Sequence, residues 1–541
     1  MSASKYLKAS KKTISLLDQK GLTISQLKQI QSHLTVTATL KDPYAAAKII
    51  SLHAHSNAKS SLFYAERLFL CLQNKSTFIW NTMMQAFVEK NEPIRAFSLY
   101  KHMLESNYLP NNFTFSFVIR ACIDVFNLQM GLCFHGQVVK FGWESHDFVQ
   151  NGLIHLYANC GFMDLARNMF DLSIKRDVVT WTCLINGYLN SGQVLIAREL
   201  FDRMPEKNPV SWGAVIAGYV RIGFFKEALE VFYDMQVSGF RLNRASIVGA
   251  LTACAFLGAL DQGSWIHAYV KRHHMSLDRM LGTALIDMYA KCGCIEMACS
   301  VFYEMDDRDV YAFTCLISGL ANHDKSEAAI DFFNRMQDEG VLPNEVTFVC
   351  VLNACSRMGM VDEGLRIFES MSNRYAIEPQ IQHYGCLVDL LGRAGKIEEA
   401  KKVVREMPLH PDSYALGALL DACRVHGDVQ LGEEMVDSLV QRCLDHGGVH
   451  VLLSNMYASA DKWEDVSKVR KKMEDKNIRK LPGCSSIEVN GTVCEFVTGD
   501  WSYALEEDIM LLLFGIDKNL KSLSLDDHDD HDSVTLEQVF S

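Results

Sequence analysis

The sequence lacks what a membrane span requires: its uninterrupted apolar runs are short, "IMLLLFGI" from Ile509 being eight residues, far short of the roughly 18 to 20 residues that cross a bilayer. Its first residues do not read as a secretory leader, and the chain has no regular cysteine framework. Its 17 cysteines, scattered through 541 residues, therefore read as reduced, mostly buried small side chains and not as a disulfide scaffold. There is little charge outside one segment. The formal net charge is −12, but from Trp501 onward ten acidic residues meet only Lys518 and Lys521, a balance of −8, which leaves −4 for residues 1–500. A body this close to neutral exerts weak nonspecific attraction on phosphates, and the C-terminal segment reads as a solvated acidic tail. Disorder of the whole chain is excluded by 49% hydrophobic and 22% charged residues, a composition that buries a core.

What the chain has in abundance is itself. "VVTWTCLINGYLNSGQVLIARELFDRMPEKN" at 178–208 is followed at once by "PVSWGAVIAGYVRIGFFKEALEVFYDMQVSGFRLN" at 209–243, a near rewriting. In the first, Trp181, Leu184, Ile185 and Tyr188 fall at i, i+3, i+4 and i+7, one face of a helix, before "NSG" breaks it. Ala197, Leu200, Phe201 and Met204 repeat the spacing in a second helix. The second stretch does the same with Trp212, Val215, Ile216 and Tyr219, then Ala228, Val231, Phe232 and Met235. Each stretch is a helical hairpin with two apolar faces, and it buries both only when neighbours stack.

The template recurs with starts at Thr77, Asn112, Asp147, Val178, Pro209, Arg244, Arg279, Val310, Glu345 and Ile381, giving lengths of 35, 35, 31, 31, 35, 35, 31, 35, 36 and 32 residues. Standard, long and short repeats alternate, with one extra short repeat at Val178. Two weaker repeats are expected around "SQLKQIQSHL" and "AAAKIISLHAHSNAKSSLFYAERLF". The expected fold is all-α, a superhelical solenoid of helix-turn-helix repeats. "GLCFH" at Gly131–His135 and "GSWIH" at Gly263–His267 lie 132 residues apart in two long repeats. Their histidines are expected to pack between second helices of adjacent repeats, in preference to acting as ligands or bases.

Positions that vary between repeats are where function belongs. With Trp181 as the fourth residue of its repeat, the fifth residues are Asn81, Ser116, Asn151, Thr182, Gly213, Val248, Thr283, Thr314, Val349 and Gly385. The last residues are Asn111, His146, Asp177, Asn208, Asn243, Asp278, Asp309, Asn344, Gln380 and Asp412. Eight of the ten last residues are Asn or Asp, which are good N-caps, so helix starts alone explain that column. The fifth column is polar in most standard and short repeats. A short hydrogen-bonding side chain recurring once per hairpin would line the concave face and, paired with the last residue, reach the edge of one base.

These repeats resemble pentatricopeptide repeats, specifically the plant PLS class with its standard, long and short motifs, over residues from about 8 to 500. "ALIDMYAKCG" from Ala284, "HYGCLVDLLGRAGKIEEA" from His383 and "GALLDACRVHGDVQLGE" from Gly417 carry the likeness. In that class each repeat reads one base through two or three side chains. The resemblance assigns the reading to the fifth and last residues: Asn81 with Asn111, Asn151 with Asp177, Thr182 with Asn208, Gly213 with Asn243, Thr283 with Asp309 and Thr314 with Asn344. By the code it implies, Asn with Asp prefers U, Asn with Asn prefers C or U, Thr with Asp prefers G, and Thr with Asn prefers A. With the repeat at Ile381 placed about four nucleotides before the target, the expected RNA is 5'-Y-n-U-A-R-n-G-A-n-n-n-n-n-C.

Residues 451–500 resemble the E-type extension of organelle RNA-editing members, departing at Ser486, where tryptophan is usual, and at Cys494, where histidine is usual. Read physically, this is a further helix pair followed by "SIEVNGTVCEFV", whose alternation around Asn490–Gly491 predicts a β-hairpin. Editing enzymes of the family carry a zinc deaminase with H-x-E and C-x-x-C ligands. No histidine here has Glu two residues later, and no two cysteines are spaced C-x-x-C. The "KCGCIEMAC" at Lys291–Cys299 sits in an ordinary short repeat, and "DDHDDHD" at Asp526–Asp532 reads as part of the acidic tail. No cofactor and no enzymatic activity are expected.

The expected organisation is a short transit segment and degenerate first repeat over 1–42, a repeat array over 43–412, an E-type extension over 413–500 and the tail over 501–541. The resemblance implies a specificity factor for organelle C-to-U editing. Its expected partners are single-stranded organelle RNA, a DYW-type deaminase supplied in trans and organelle multiple-site editing factors, with no membrane partner. Transcript stabilisation or splicing, or a tetratricopeptide-like protein scaffold, are the alternatives. The scaffold would repeat uniformly every 34 residues. "MSASKYLKASKKTISLL" has four lysines and no acid before Asp18, which suits a transit segment. The mitochondrion is the expected destination, the chloroplast its alternative.

Overall fold

The computed structural model describes residues 24–36, 42–54, 61–72, 75–173, 175–408, 411–441, 447–475, 483–489 and 492–497, with a few isolated positions besides. The expected transit segment and most of the acidic tail, "DDHDDHD" included, lie outside the described residues. The chain divides into two compact parts, Met1–Ala253 and Cys254–Ser541.

In the first part the opening helices of successive repeats are Thr77–Glu89, Asn112–Asp124, Asp147–Asn159, Val178–Asn190 and Pro209–Arg221. In the second they are Arg279–Lys291, Val310–Asn322, Glu345–Met358 and Ile381–Arg393. Each starts on the residue that opens its repeat in the sequence. "SQLKQIQSHL" lies on helix Ile24–Val36, and the next weak repeat forms helices Pro43–Ala54 and Ser61–Cys71. Glycine breaks the helix pairs where the turn demands it: Gly192 and Gly223 have φ of +75° and +82°, a region that costs a side chain dearly.

One packing motif recurs at the junctions between repeats. A phenylalanine from the second helix of one repeat meets, edge to face, the fourth residue of the next. Centroids are 4.8 Å apart for Phe69–Trp80, Phe170–Trp181 and Phe201–Trp212, and 4.9 Å for Phe302–Phe313, with interplanar angles of 78° to 82°. Lys75, Arg176, Lys207 and Arg308 lie over these same phenylalanines at 4.8 to 5.2 Å, adding cation–π attraction. The periodic sequence produces a periodic interface, so stability accrues junction by junction.

The histidines of "GLCFH" and "GSWIH" correct the sequence reading. Their partner is the first helix of the following repeat, not its second: His135 Nδ1 pairs with the Tyr157 hydroxyl at 2.6 Å, and His267 Nδ1 with the Tyr289 hydroxyl at 2.9 Å. The glycines make the approach feasible, since a Cβ on Gly131 or Gly263 would come within 2.4 Å of Leu156 Cδ2 or Met288 Sδ.

Burial holds both histidines below the ordinary imidazole pKa, as it does His53 and His155. The unfolded chain, with its imidazoles near 6.5, therefore takes up more protons as pH falls, and stability is full above that value and lost below it. The thermal unfolding midpoint is expected to drop between pH 7 and pH 5. The double variant His135→Gln, His267→Gln should show a shallower drop in the same calorimetric series; an unchanged slope would remove these residues from the account.

Beyond Ile381–Arg393 come helices Ser413–His426, Val429–Gln441, Gly447–Ser459 and Trp463–Asp475. Strands β1 (Cys484–Val489) and β2 (Thr492–Val497) then pair antiparallel, with Ile487 opposite Cys494. The hairpin expected from "SIEVNGTVCEFV" is present.

Candidate nucleic-acid interface

All eight Asn and Asp residues of the last column cap the helix that follows. The side-chain oxygen accepts a backbone N–H three residues on, from Asn111 to Thr114 (3.1 Å), Asp177 to Thr180 (2.8 Å), Asn208 to Ser211 (2.8 Å) and Asn243 to Ser246 (2.8 Å). The same bond joins Asp278 to Leu281, Asp309 to Ala312, Asn344 to Thr347 and Asp412 to Ala415. The capping reading of this column is therefore met in full, and the question becomes what is left over. A cap uses one oxygen and fixes the side chain. The second functional atom stays at a set place: Asn111, Asn208 and Asn344 keep Nδ2 without a protein partner among the described residues.

The fifth residues join this arrangement in three ways. Asn81 and Asn151 are tied at both ends of the amide. Asn81 Nδ2 donates to Asn111 Oδ1 at 2.9 Å while Thr114 Oγ1 donates to Asn81 Oδ1 at 2.7 Å. Asn151 Nδ2 donates to Asp177 Oδ1 at 3.4 Å while Thr180 Oγ1 donates to Asn151 Oδ1 at 2.7 Å. Burial works against the Asp177 charge, but hydrogen bonds from Thr180 and Asn151 hold its carboxyl below the usual aspartate value. That repeat thus presents a fixed acceptor, and the repeat that starts at Thr77 a fixed donor.

The threonines differ. Thr182 Oγ1 donates back to Val178 O at 2.6 Å, Thr314 Oγ1 shares a 2.7 Å bond with Thr347 Oγ1, and Thr283 Oγ1 is buried without a partner among the described residues. Gly213 has no side chain to offer. Asn243 covers it, its Oδ1 lying 3.2 Å from where a Cβ would stand, and spends its Nδ2 on Pro209 O at 2.7 Å. Gly385 is covered by the Tyr414 ring. Of the six expected pairs, the structure joins Asn81 with Asn111 and Asn151 with Asp177 by direct hydrogen bonds and sets Asn243 against Gly213. For Thr182 with Asn208, Thr283 with Asp309 and Thr314 with Asn344 there is no direct bond.

A feature missed in the sequence lies three residues before eight of the ten fifth positions. Phe78, Phe113, Phe148, Val179, Val210, Met280, Tyr311 and Val346 are each more than half exposed. The i, i+3 spacing puts each on the same helix face as the fifth residue of its repeat, which is polar in all but the repeats of Val210 and Val346. A flat or apolar side chain in the second position that belongs to neither core stripe was the available signal.

No group of three or more His, Cys, Asp or Glu able to hold a metal occurs among the described residues. In "KCGCIEMAC", the Cys292 thiol, pushed up to about 12 chiefly by burial, donates to Cys254 O at 3.6 Å.

Models of the PPR repeat family match residues 75–124, 176–209 and 308–357, and those of the PPR repeat match 151–178, 210–240, 283–310, 346–375 and 383–410. A putative pentatricopeptide repeat-containing protein of Arabidopsis thaliana is 43% identical over 492 residues, which is 91% of this chain and 80% of that protein. The chain belongs to the pentatricopeptide repeat family. A second Arabidopsis member, described as chloroplastic/mitochondrial, is 39% identical over 92% of this chain and 76% of its own length. Among solved structures, the pentatricopeptide repeat protein PPR10 from maize is similar at 14% identity and a TM-score of 0.49, over 84% of this chain and 77% of that one. The E motif model matches residues 426–488 of this pentatricopeptide repeat chain, from the end of helix Ser413–His426 into β1. Neither the repeats nor this motif supplies the H-x-E and C-x-x-C arrangement of a zinc deaminase.

Proposed function

We propose that this chain is a sequence-specific, single-stranded RNA-binding factor for organelle C-to-U editing, which holds a transcript just upstream of a cytidine and leaves the deamination to a deaminase recruited in trans. The observation that carries the reading is the fixed pair, formed by Asn81 with Asn111 at 2.9 Å and by Asn151 with Asp177 at 3.4 Å, beside the exposed side chains of Phe78 and Phe148. Hydrogen-bonding groups of defined polarity, locked by caps, read a base edge. The neighbouring apolar or aromatic residue gives the base a surface to stack on.

Six reading pairs at roughly 1 kcal/mol each, the low end for base contacts, sum to about four powers of ten in discrimination. That is little for one site among all the RNA of an organelle, so protein partners sharpen the choice. The E motif is the feature that favours editing over transcript stabilisation or splicing. Relatives described as chloroplastic/mitochondrial and as mitochondrial support an organelle location, the mitochondrion in this reading.

Deep sequencing of organelle RNA from plants with and without the protein tests the proposal. Conversion of cytidine to uridine is expected to be lost at one or a few sites preceded by Y-n-U-A-R-n-G-A at the stated spacing. Unchanged editing with altered transcript ends or introns would replace editing by stabilisation or splicing; loss at unrelated sequences would keep editing and discard the register.

A further inference from the structure

The two long repeats that start at Asn112 and Arg244 differ at one helix start. In the first, Asn127 caps helix Leu128–Lys140, its side chain accepting from Met130 N at 3.0 Å. In the second, the residue 132 positions on is Ala259, which has no side chain to cap helix Leu260–Arg272. The missing acceptor comes from the far end of the same compact part. Glu488 on β1 accepts from Asp261 N at 2.7 Å and from Gln262 N at 3.2 Å, and Ser486 Oγ donates to Leu257 O at 3.0 Å. Gln262 is the counterpart of Met130, so the carboxylate stands where the local cap stands in the sister repeat. Ala259, between these two anchor points, is fully buried, whereas Asn127 is exposed.

We infer that the C-terminal hairpin is an intramolecular clasp, which docks on the uncapped helix start at Ala259 and ties the E-type extension to a repeat more than 220 residues upstream. In a solenoid each repeat touches only its neighbours. A contact that skips the repeats starting at Arg279, Val310, Glu345 and Ile381 therefore limits how far those repeats can open against one another. The carboxylate is suited to the task because two backbone N–H groups and the positive end of the helix dipole converge on it. It also divides the hairpin into two surfaces. A partner that uses the Ser486 and Glu488 face must displace the clasp, while one that uses the opposite face, where Ile487 and Cys494 are exposed cross-strand neighbours, need not.

Hydrogen exchange on the full chain tests the clasp with two variants that act in opposite ways on the helix. In Glu488→Ala, the amides of 261 and 262 and those of both strands should exchange roughly 2- to 30-fold faster, the range for loss of a helix cap. The locally capped amide of Met130 should not change. In Ala259→Asp, the new side chain caps Gln262 N itself and occupies the covered position, so the hairpin amides should lose protection while 261 and 262 keep it. Unchanged strand protection in Ala259→Asp, or unchanged 261 and 262 in Glu488→Ala, would overturn the inference. A chain that Glu488→Ala unfolds would show it in helix Val310–Asn322, and the Ala259→Asp arm then decides alone.

Discussion

Exchanging one reading pair for another should change which base the protein prefers without disturbing its fold. The pair Asn151 and Asp177 is assigned to U and the next pair, Thr182 and Asn208, to A, so Asn151→Thr with Asp177→Asn copies the second pair into the first. Asn caps a helix as well as Asp does, and Oδ1 of the new Asn can still accept from Thr180 N, the bond that measures 2.8 Å now. For an RNA carrying U at that position the affinity is expected to fall by about 1–3 kcal/mol, roughly 5- to 150-fold, and for the same RNA carrying A to rise comparably. Fluorescence anisotropy with two oligonucleotides that differ in this base alone measures both. Equal weakening for both RNAs would mean that the pair holds the helix start and reads nothing. Thr180→Ala is the companion variant: it removes the 2.7 Å bond that fixes Asn151 and should blur the preference without reversing it.

The largest expected loss of stability comes from Trp212→Ala. The indole is buried, meets Phe201 edge-on at 4.8 Å and lies 6.0 Å from Phe240. Its Nε1 has no hydrogen-bond partner among the described residues, so the loss is one of packing, at a cost of about 3–5 kcal/mol. Because the array is held junction by junction, the damage should stay local and split urea unfolding into two steps, with the repeats around residue 212 opening first. Trp212→Phe should cost far less, since Phe313 fills the same position at a later junction with almost the same geometry. Equal losses in the two variants would refute the edge-to-face account of the junction.

The local parts of this molecule were open to sequence reasoning because they depend on residues close together in the chain. Helix spacing, "NSG"-type turns and the Asn and Asp helix starts all act within four residues, so repeat starts from Thr77 to Ile381 coincide with helix starts. The last column was readable for the same reason, although its two candidate roles, cap and reader, were not separable there. The structure shows that the cap is made and that it leaves one functional atom in a fixed place. The exposed second residues were overlooked because periodicity locates core stripes and passes over an apolar residue that belongs to none.

The sequence by itself determined the all-α repeat architecture, the hairpin at the C-terminal end and the column of Asn and Asp helix caps, because each rests on short-range backbone preferences. Only the tertiary structure decided that His135 and His267 pair with tyrosines of the next first helix, that Tyr414 closes the Gly385 position and that Glu488 caps a helix more than 220 residues away. Those contacts depend on how repeats stack and how the chain returns on itself. Neither is encoded in the spacing of any one repeat.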